Sequence, residues 1–479
     1  MVVIHRDTDT IAAVATPSGP GGIGIIRISG SDSLPILKAI FRPSNPNCSF
    51  KSHMLYHGFI TDPDTGQEID EALCVYMKAP KTYTRQDVVE IQCHSGPAVM
   101  GLILELCLAR GARLALPGEF TKRAFLSGRI DLTQAEALND LVNAQSSCLS
   151  LMSVKGLKGG LAERIETIRQ GLVYCLSALE VAIDYPEEDS EIVGESRIME
   201  RLQKDVIGPV ESLIRAYEIA AIHRSGVKVL LVGRPNAGKS SLLNALACEE
   251  RAIVTEIPGT TRDIVEQQVE MDGIVVTLMD TAGIRQSPDP IEAMGIDKIA
   301  RRAAETDIFL WLIDPVQGTG REEEEVARLL ASHGQGKIIV VINKMDMVKP
   351  VQEEVIKESI MQELARMEGL KLDKEIPVCT ISAKTGLGLQ ELAATISDTV
   401  LRDKRLRETD VAPNIRQKQV LQRVGSCLER GMEGLKTGLS PDVVALDLRQ
   451  ALDLLGEITG ETATEDILDQ IFSRFCLGK

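Results

Sequence analysis

Gly233-Arg-Pro-Asn-Ala-Gly-Lys-Ser-Ser241 is the stretch on which the reading of this chain turns. It carries the spacing G-x-x-x-x-G-K-S, in which loop amides cradle phosphates. Lys239 would reach the outer phosphates and the Ser240 hydroxyl would hold Mg²⁺. The preceding run Val227-Lys-Val-Leu-Leu-Val232 is apolar and β-branched, and Ser241-Leu-Leu-Asn-Ala-Leu246 continues on helical spacing. A strand, a loop and a helix in that order are the context a phosphate loop needs.

Further along, Asp280-Thr-Ala-Gly283 follows the strand-like Val275-Val-Thr-Leu-Met279, where an acidic side chain can lie near Mg²⁺ and a glycine amide near a γ-phosphate. Ile338-Ile-Val-Val-Ile342 leads into Asn343-Lys-Met-Asp346. A carboxylate at Asp346 accepts from both the N1 and N2 donors of guanine, a pair that adenine does not offer. Ser382-Ala-Lys384 follows another short strand and closes the base pocket, while Thr261 in Gly259-Thr-Thr-Arg-Asp263 is suited to the metal and γ-phosphate. Four fragments in this order imply GTP. The expected GTP contacts are Asn236, Ala237, Gly238, Lys239, Ser240 and Ser241; Thr255, Glu256, Ile257, Pro258, Gly259, Thr260 and Thr261; Asp280, Thr281, Ala282 and Gly283; Asn343, Lys344, Met345 and Asp346; and Ser382, Ala383 and Lys384.

Hydrolysis is less ordinary. The position after Asp280-Thr-Ala-Gly283, where Ras-like enzymes place a glutamine to orient water, is Ile284, whose side chain cannot polarise water. Either the protein is a slow switch or another group does this work. Asn236 has two readings: its amide oxygen helps hold a monovalent cation where an arginine finger would otherwise sit, or it is simply a turn-favouring asparagine.

At 479 residues the chain exceeds one ordinary core, and the length suggests about three domains. Residues 1–122 mix strand and turn signals, such as Gly19-Pro-Gly-Gly-Ile-Gly24 before Ile25-Ile-Arg-Ile28, and read as a compact α/β domain. Residues 123–222 read as helical, with Thr133-x-x-Glu136 as the capping box of the run through Leu138, Leu141, Val142, Leu149 and Met152. The acidic Asp184-Tyr-Pro-Glu-Glu-Asp-Ser-Glu191 reads as a solvated loop between helices. Residues 226–400 alternate strands and helices as a doubly wound sheet. Residues 401–479 are helical again, with Ser440-Pro441 opening one helix and Ile467, Leu468, Ile471, Phe472 and Phe475 as an apolar stripe. An α/β domain inserted into one helical domain is the economical topology.

A net charge of −16 opposes indiscriminate binding to nucleic acid or an anionic membrane, so any RNA contact needs a local patch or a partner. No apolar stretch approaches the ~18 residues of a spanning helix, and the expectation is a cytoplasmic protein with no membrane contact. Ten cysteines without a C-x-x-C pair support neither a zinc knuckle nor a disulfide scaffold. With one Trp, six Tyr and eight Phe, the chain lacks the aromatic supply of a base-stacking single-strand binder.

Three features go beyond a generic GTPase: the phosphate loop, Thr255-Glu-Ile-Pro-Gly-Thr-Thr-Arg-Asp263, and Phe475-Cys-Leu-Gly-Lys479. With Asp9-Thr-Ile-Ala-Ala-Val-Ala-Thr-Pro17, they make the chain resemble the MnmE (TrmE) family of tRNA wobble-uridine modification GTPases over essentially its whole length. The resemblance implies a homodimer of three-domain chains: an N-terminal tetrahydrofolate-binding domain that dimerises, a two-segment helical domain and an inserted Ras-like G domain. It also implies action on tRNA with the FAD protein MnmG, as two copies of each, to build a (carboxymethyl)aminomethyl group on C5 of the wobble uridine. The implied one-carbon donor is 5-formyltetrahydrofolate or a related tetrahydrofolate, and FAD enters only through the partner.

On the same resemblance, K⁺ would be held by Asn236, Thr255, Ile257 and Thr260, the Ile257 ligand being its backbone carbonyl, and Mg²⁺ by Ser240 and Thr261. The G domains would associate across the dimer with GTP and K⁺ bound. Glu292 would be the catalytic carboxylate, orienting water through an intermediate water; without the family it reads as a solvated helix-start glutamate. The folate site would comprise Arg27, Glu90, Arg129 and Lys479, where a carboxylate suits a pterin's donor face and cations suit the glutamate tail. Cys476 stands open between a redox or nucleophilic role and a structural one. Two other readings compete: a ribosome-assembly switch GTPase of the Era or Der kind, which would call for a basic RNA-binding module such as a KH domain, and an autonomous folate-dependent one-carbon transferase.

Overall fold

The computed structural model describes residues 9–17, 19, 21–184, 195–249, 251–252, 266–280, 302–318, 320–333, 336–349, 352–366, 376–401 and 411–478. They form two compact units. The first is built from residues 1–142, 154–212 and 415–479, and the second from 143–153 and 213–414.

In the first unit, strands β1 (Ile11–Val14), β2 (Gly24–Ser29), β3 (Phe41–Pro43), β4 (Met54–Thr61), β5 (Glu68–Met77), β6 (Val88–Cys93) and β7 (Arg113–Leu114) make one sheet in the order β3-β4-β5-β6-β2-β1-β7. All its pairings are antiparallel except β1 with β7. The period-2 alternation of Gly24-Ile-Ile-Arg-Ile-Ser29 sends Ile26 and Ile28 into a core with Ile36, Leu37 and Ile40 of helix Ser33–Ile40 and Ile103 and Cys107 of helix Pro97–Ala109. Arg27 therefore lies on the opposite face of the sheet, level with Glu90 across the β2–β6 pair.

The unit's long helices include Gly160–Asp184, Ile415–Lys436 and Pro441–Thr459. Val420, Leu421, Val424, Leu428 and Leu435 repeat at helical spacing and are buried, as are Leu448, Leu454, Leu455 and Ile458. Gly431 is small because a β-carbon there would come within 2.9 Å of the Leu448 side chain. Ser440 and Pro441 open their helix as the sequence predicts, and Leu468, Phe472 and Phe475 pack with Leu132 and Ala135.

The capping box at Thr133 and Glu136 is corrected. Helix Leu132–Val142 starts earlier, and its reciprocal cap is Asp131 with Gln134: the Gln134 amide donates to Asp131 Oδ1 (3.0 Å) and the Asp131 amide to Gln134 Oε1 (3.0 Å). Thr133 Oγ1 instead donates to Asp131 (2.6 Å), and Glu136 is buried as the acceptor of Arg416 and Gln417. An aspartate is at least as good an N-cap acceptor as threonine, so the cap moves two residues upstream.

The second unit holds a sheet in the order β14-β13-β12-β8-β11-β10-β9, from β8 (Val227–Val232), β9 (Arg251–Ala252), β10 (Glu266–Met271), β11 (Ile274–Asp280), β12 (Ile308–Ile313), β13 (Lys337–Ile342) and β14 (Val378–Thr380). The five strands from β14 to β11 are parallel, and the β10–β11 hairpin and β9 add an antiparallel edge. Every residue of β12 is buried, as expected of a strand covered on both faces. Alternate side chains feed two cores, Leu310 and Leu312 on one face and Phe309, Trp311 and Ile313 on the other. Trp311 is the chain's single tryptophan and is fully buried between the sheet and its covering helices. Among the described residues no helix is long and apolar enough to cross a membrane.

Candidate functional site

The phosphate loop leaves β8 and enters helix Lys239–Glu249, whose N-terminal amides and dipole make an anion-binding end. The turn uses three left-handed backbone positions, Gly233 (φ +145°), Asn236 (φ +64°) and Gly238 (φ +99°). At Gly233 a β-carbon would lie 2.5 Å from the Leu312 carbonyl oxygen, so only glycine fits. Asparagine is among the few residues that tolerate φ > 0, which gives Asn236 a backbone role independent of any cation.

Lys239 Nζ donates to the carbonyls of Gly233 (3.0 Å) and Arg234 (2.9 Å), and Ser240 Oγ donates to Asp280 Oδ2 (2.6 Å). The Ser240 hydroxyl and Asp280 carboxylate thus converge where β11 ends beside the helix start, a hard-oxygen pair that fits Mg²⁺. Asn343, almost fully buried, bridges the phosphate loop and the base loop: its Nδ2 donates to Ala237 O (2.9 Å), and its Oδ1 accepts from the Ala383 amide (3.0 Å). Ser382 Oγ donates to Asp346 Oδ1 (2.7 Å), orienting the carboxylate expected to read guanine. Lys344, at φ +62°, donates from Nζ to the buried Asp314 (2.7 Å). The structure therefore gathers Asn236, Ala237, Gly238, Lys239, Ser240, Ser241, Asp280, Asn343, Lys344, Met345, Asp346, Ser382, Ala383 and Lys384 into the phosphate loop, the adjoining end of β11 and the loops after β13 and β14. Thr255, Glu256, Ile257, Pro258, Gly259, Thr260, Thr261, Thr281, Ala282, Gly283, Ile284 and Glu292 lie outside the described residues.

A second polar site lies in the first unit. Arg27 Nε pairs with Glu90 Oε1 (2.9 Å), its Nη1 donates to the Gly478 carbonyl (3.1 Å), and its guanidinium sits 5.8 Å from the Phe120 ring centroid. The Arg129 guanidinium lies 5.0 Å from the Tyr83 ring, and its Nη1 donates to Thr82 O (2.6 Å). Burial pushes the Tyr83 phenol up, against a hydrogen bond with Thr121 and the positive charges of Arg129 and Arg27. Two cations, a carboxylate and two aromatic rings thus share one place, a donor set that fits a pterin with a carboxylate tail. Lys479 lies outside the described residues, but Gly478 reaches Arg27 and, at φ +86°, runs so close to Ala15 that a β-carbon would approach its Cα to 2.9 Å. Cys476 is an exposed free thiol; six of the ten cysteines are buried. Asp9 accepts from the forks of Arg113 and Arg123, which hold its carboxyl below the usual range.

Sequence reading missed Tyr83 and Phe120, whose part depends on register and packing, and Asp314 and Glu323, which no motif marks. Arg234, inside the phosphate loop, forms a fork on the fully buried Glu323, 89 positions away.

A phosphate loop, an acidic strand end and an asparagine-aspartate base pocket on a mostly parallel sheet define a P-loop GTPase. Comparison with known proteins narrows this. A model of the MnmE helical domain matches residues 132–476, and one of the GTP-binding protein TrmE N-terminus matches residues 10–129. The tRNA modification GTPase MnmE of Thermoanaerobacter pseudethanolicus is 44% identical over 98% of this chain and 99% of its own. That of Desulfotalea psychrophila is 42% identical over the full length of both. Among solved structures, Era in complex with MgGDPNP and nucleotides of 16S ribosomal RNA aligns at 26% identity and a TM-score of 0.29, covering 42% of this chain and 66% of that one. The chain belongs to the MnmE family.

Proposed function

We propose that this GTPase acts in tRNA modification, working with the FAD protein MnmG to install a (carboxymethyl)aminomethyl group at C5 of the wobble uridine. The observation that carries the reading is the coexistence, in a chain matching its relatives end to end, of a phosphate loop tied to a base-reading loop with the Arg27–Glu90–Arg129 site. In this reading Glu90 faces the pterin donors and Arg27, Arg129 and Lys479 hold the glutamate tail of 5-formyltetrahydrofolate. The protein works in the cytoplasm as a homodimer that joins two copies of MnmG. In cells lacking the gene, wobble uridines should lose the modification, and the intact chain should restore it. Arg27→Ala should fail to restore it and should bind 5-formyltetrahydrofolate about tenfold or more weakly, because a charge-assisted partner is lost, while GTP turnover persists. Normal modification in the deleted cells would remove the tRNA reading, and an unaltered folate titration would remove Arg27 from the pocket.

Ser240 and Thr261 would hold Mg²⁺, and Asn236, Thr255, Ile257 and Thr260 would hold K⁺, which supplies positive charge at the phosphates. Glu292 takes the water-orienting part for which Ile284 is chemically unfit. The G domains associate across the dimer with GTP and K⁺ bound, and hydrolysis in that state drives the conformational change. Exchanging K⁺ for Na⁺ at constant ionic strength should slow hydrolysis by about tenfold or more, less than the roughly 10³-fold or greater effect of removing a transition-state cation outright, because Na⁺ still carries charge. Equal rates in both salts would leave Asn236 with only its turn role.

A further inference from the structure

Lys239 is oriented by the carbonyls of Gly233 and Arg234, so its aim depends on how the first two loop residues are held. Gly233 is fixed by its backbone beside Leu312. Arg234 is fixed by its side chain: Nε donates to Glu323 Oε1 (2.5 Å), Nη2 donates to Glu323 Oε2 and to the Gly318 carbonyl (2.9 Å), and Nη1 reaches Gln317 Oε1 (3.3 Å). Glu323 is fully buried in the first turn of helix Arg321–His333, where its carboxylate also accepts the Gly320 amide (3.1 Å). A buried carboxylate is tolerated only when paired and hydrogen-bonded, and the helix start adds favourable partial charge. At the other end of this segment Asp314 accepts from the Val316 amide (2.9 Å) and from Lys344 of the base-reading loop (2.7 Å). Residues 314–318 and 320–323 therefore tie the phosphate loop to the base loop without belonging to either.

We propose that Glu323 is a positioning residue: acting through Arg234, it sets the carbonyls that aim Lys239, and so sets how tightly the outer phosphates of the nucleotide are gripped. The inference rests on the guanine-nucleotide reading of the site. It separates two kinds of loosening. A general brace, when removed, weakens every guanine ligand alike, whereas a device acting on Lys239 weakens only ligands with a β-phosphate, since that is what the lysine reaches.

The test uses the full-length chain and competition against a fluorescent GDP. Glu323→Gln keeps the shape but removes the charge, and should weaken GDP about tenfold while changing GMP less than about twofold, the size of one charge-assisted contact. Arg234→Lys keeps the charge but loses the fork, and should give the same GDP-selective loss, serving also if the glutamine variant does not fold. The double variant should be no weaker than either single one, since both act on one linkage. Equal losses for GDP and GMP, or no loss in a folded variant, overturn the proposal. A wild-type chain that binds no guanine nucleotide would instead overturn the GTPase reading.

Discussion

Asp346→Asn should abolish the preference for guanine. Ser382 Oγ holds one oxygen of the Asp346 carboxylate at 2.7 Å, fixing its plane beside the base loop. Guanine presents two donors, N1–H and N2–H, to such an acceptor pair. An asparagine turns one acceptor into a donor, and a donor facing a donor leaves both without a partner. GTP affinity should fall on the order of 10³-fold or more, the discrimination reached when a site built for a hydrogen bond meets the wrong partner. Xanthosine triphosphate, with a carbonyl in place of the N2 amine, should recover much of that loss. Competition binding with GTP, XTP and ATP measures all three. A variant that still prefers GTP would mean that Asp346 does not read the base.

The largest effect on stability is expected at Glu136→Ala. This buried carboxylate accepts two hydrogen bonds from Arg416, each 2.7 Å, and a third from Gln417 Nε2 (2.6 Å), joining helix Leu132–Val142 to helix Ile415–Lys436 across 280 positions of sequence. Truncation leaves the half-buried guanidinium and the buried Gln417 amide without this acceptor, and breaking such a pair from one side costs about 3–5 kcal/mol. Denaturant unfolding followed by circular dichroism should show the midpoint of the helical transition falling accordingly. Glu136→Gln, which keeps an acceptor but not the charge, should fall between. An unchanged midpoint for the alanine variant would mean that water replaces the carboxylate at little cost.

Glu136 also shows where sequence reading reaches its limit. Its position three residues after Thr133 matches a capping pattern, and nothing local says that Asp131 and Gln134 form the cap or that a residue 280 positions away claims Glu136. The nucleotide site was legible for the opposite reason. Its residues cluster in short loops at the ends of apolar strands, and each motif encodes its own backbone conformation, as Gly233 and Gly238 do at positive φ. The Arg27 site lies between. The family resemblance proposed its members, but their meeting depends on the β2–β6 register that sets Arg27 opposite Glu90, and on Tyr83 and Phe120, which no spacing marks. The Arg234–Glu323 pair was invisible for the same physical reason: a salt bridge across 89 positions leaves no periodicity.

Trp311 gives the molecule a built-in optical label. Because the chain holds one tryptophan, and it lies wholly inside the core of the nucleotide-binding unit, indole emission reports melting of that unit alone. Circular dichroism, by contrast, sums helices from both units. Read together during one titration, the two signals assign each unfolding step to its unit without dissecting the chain, and a destabilisation seeded at Glu136 should appear in the ellipticity first.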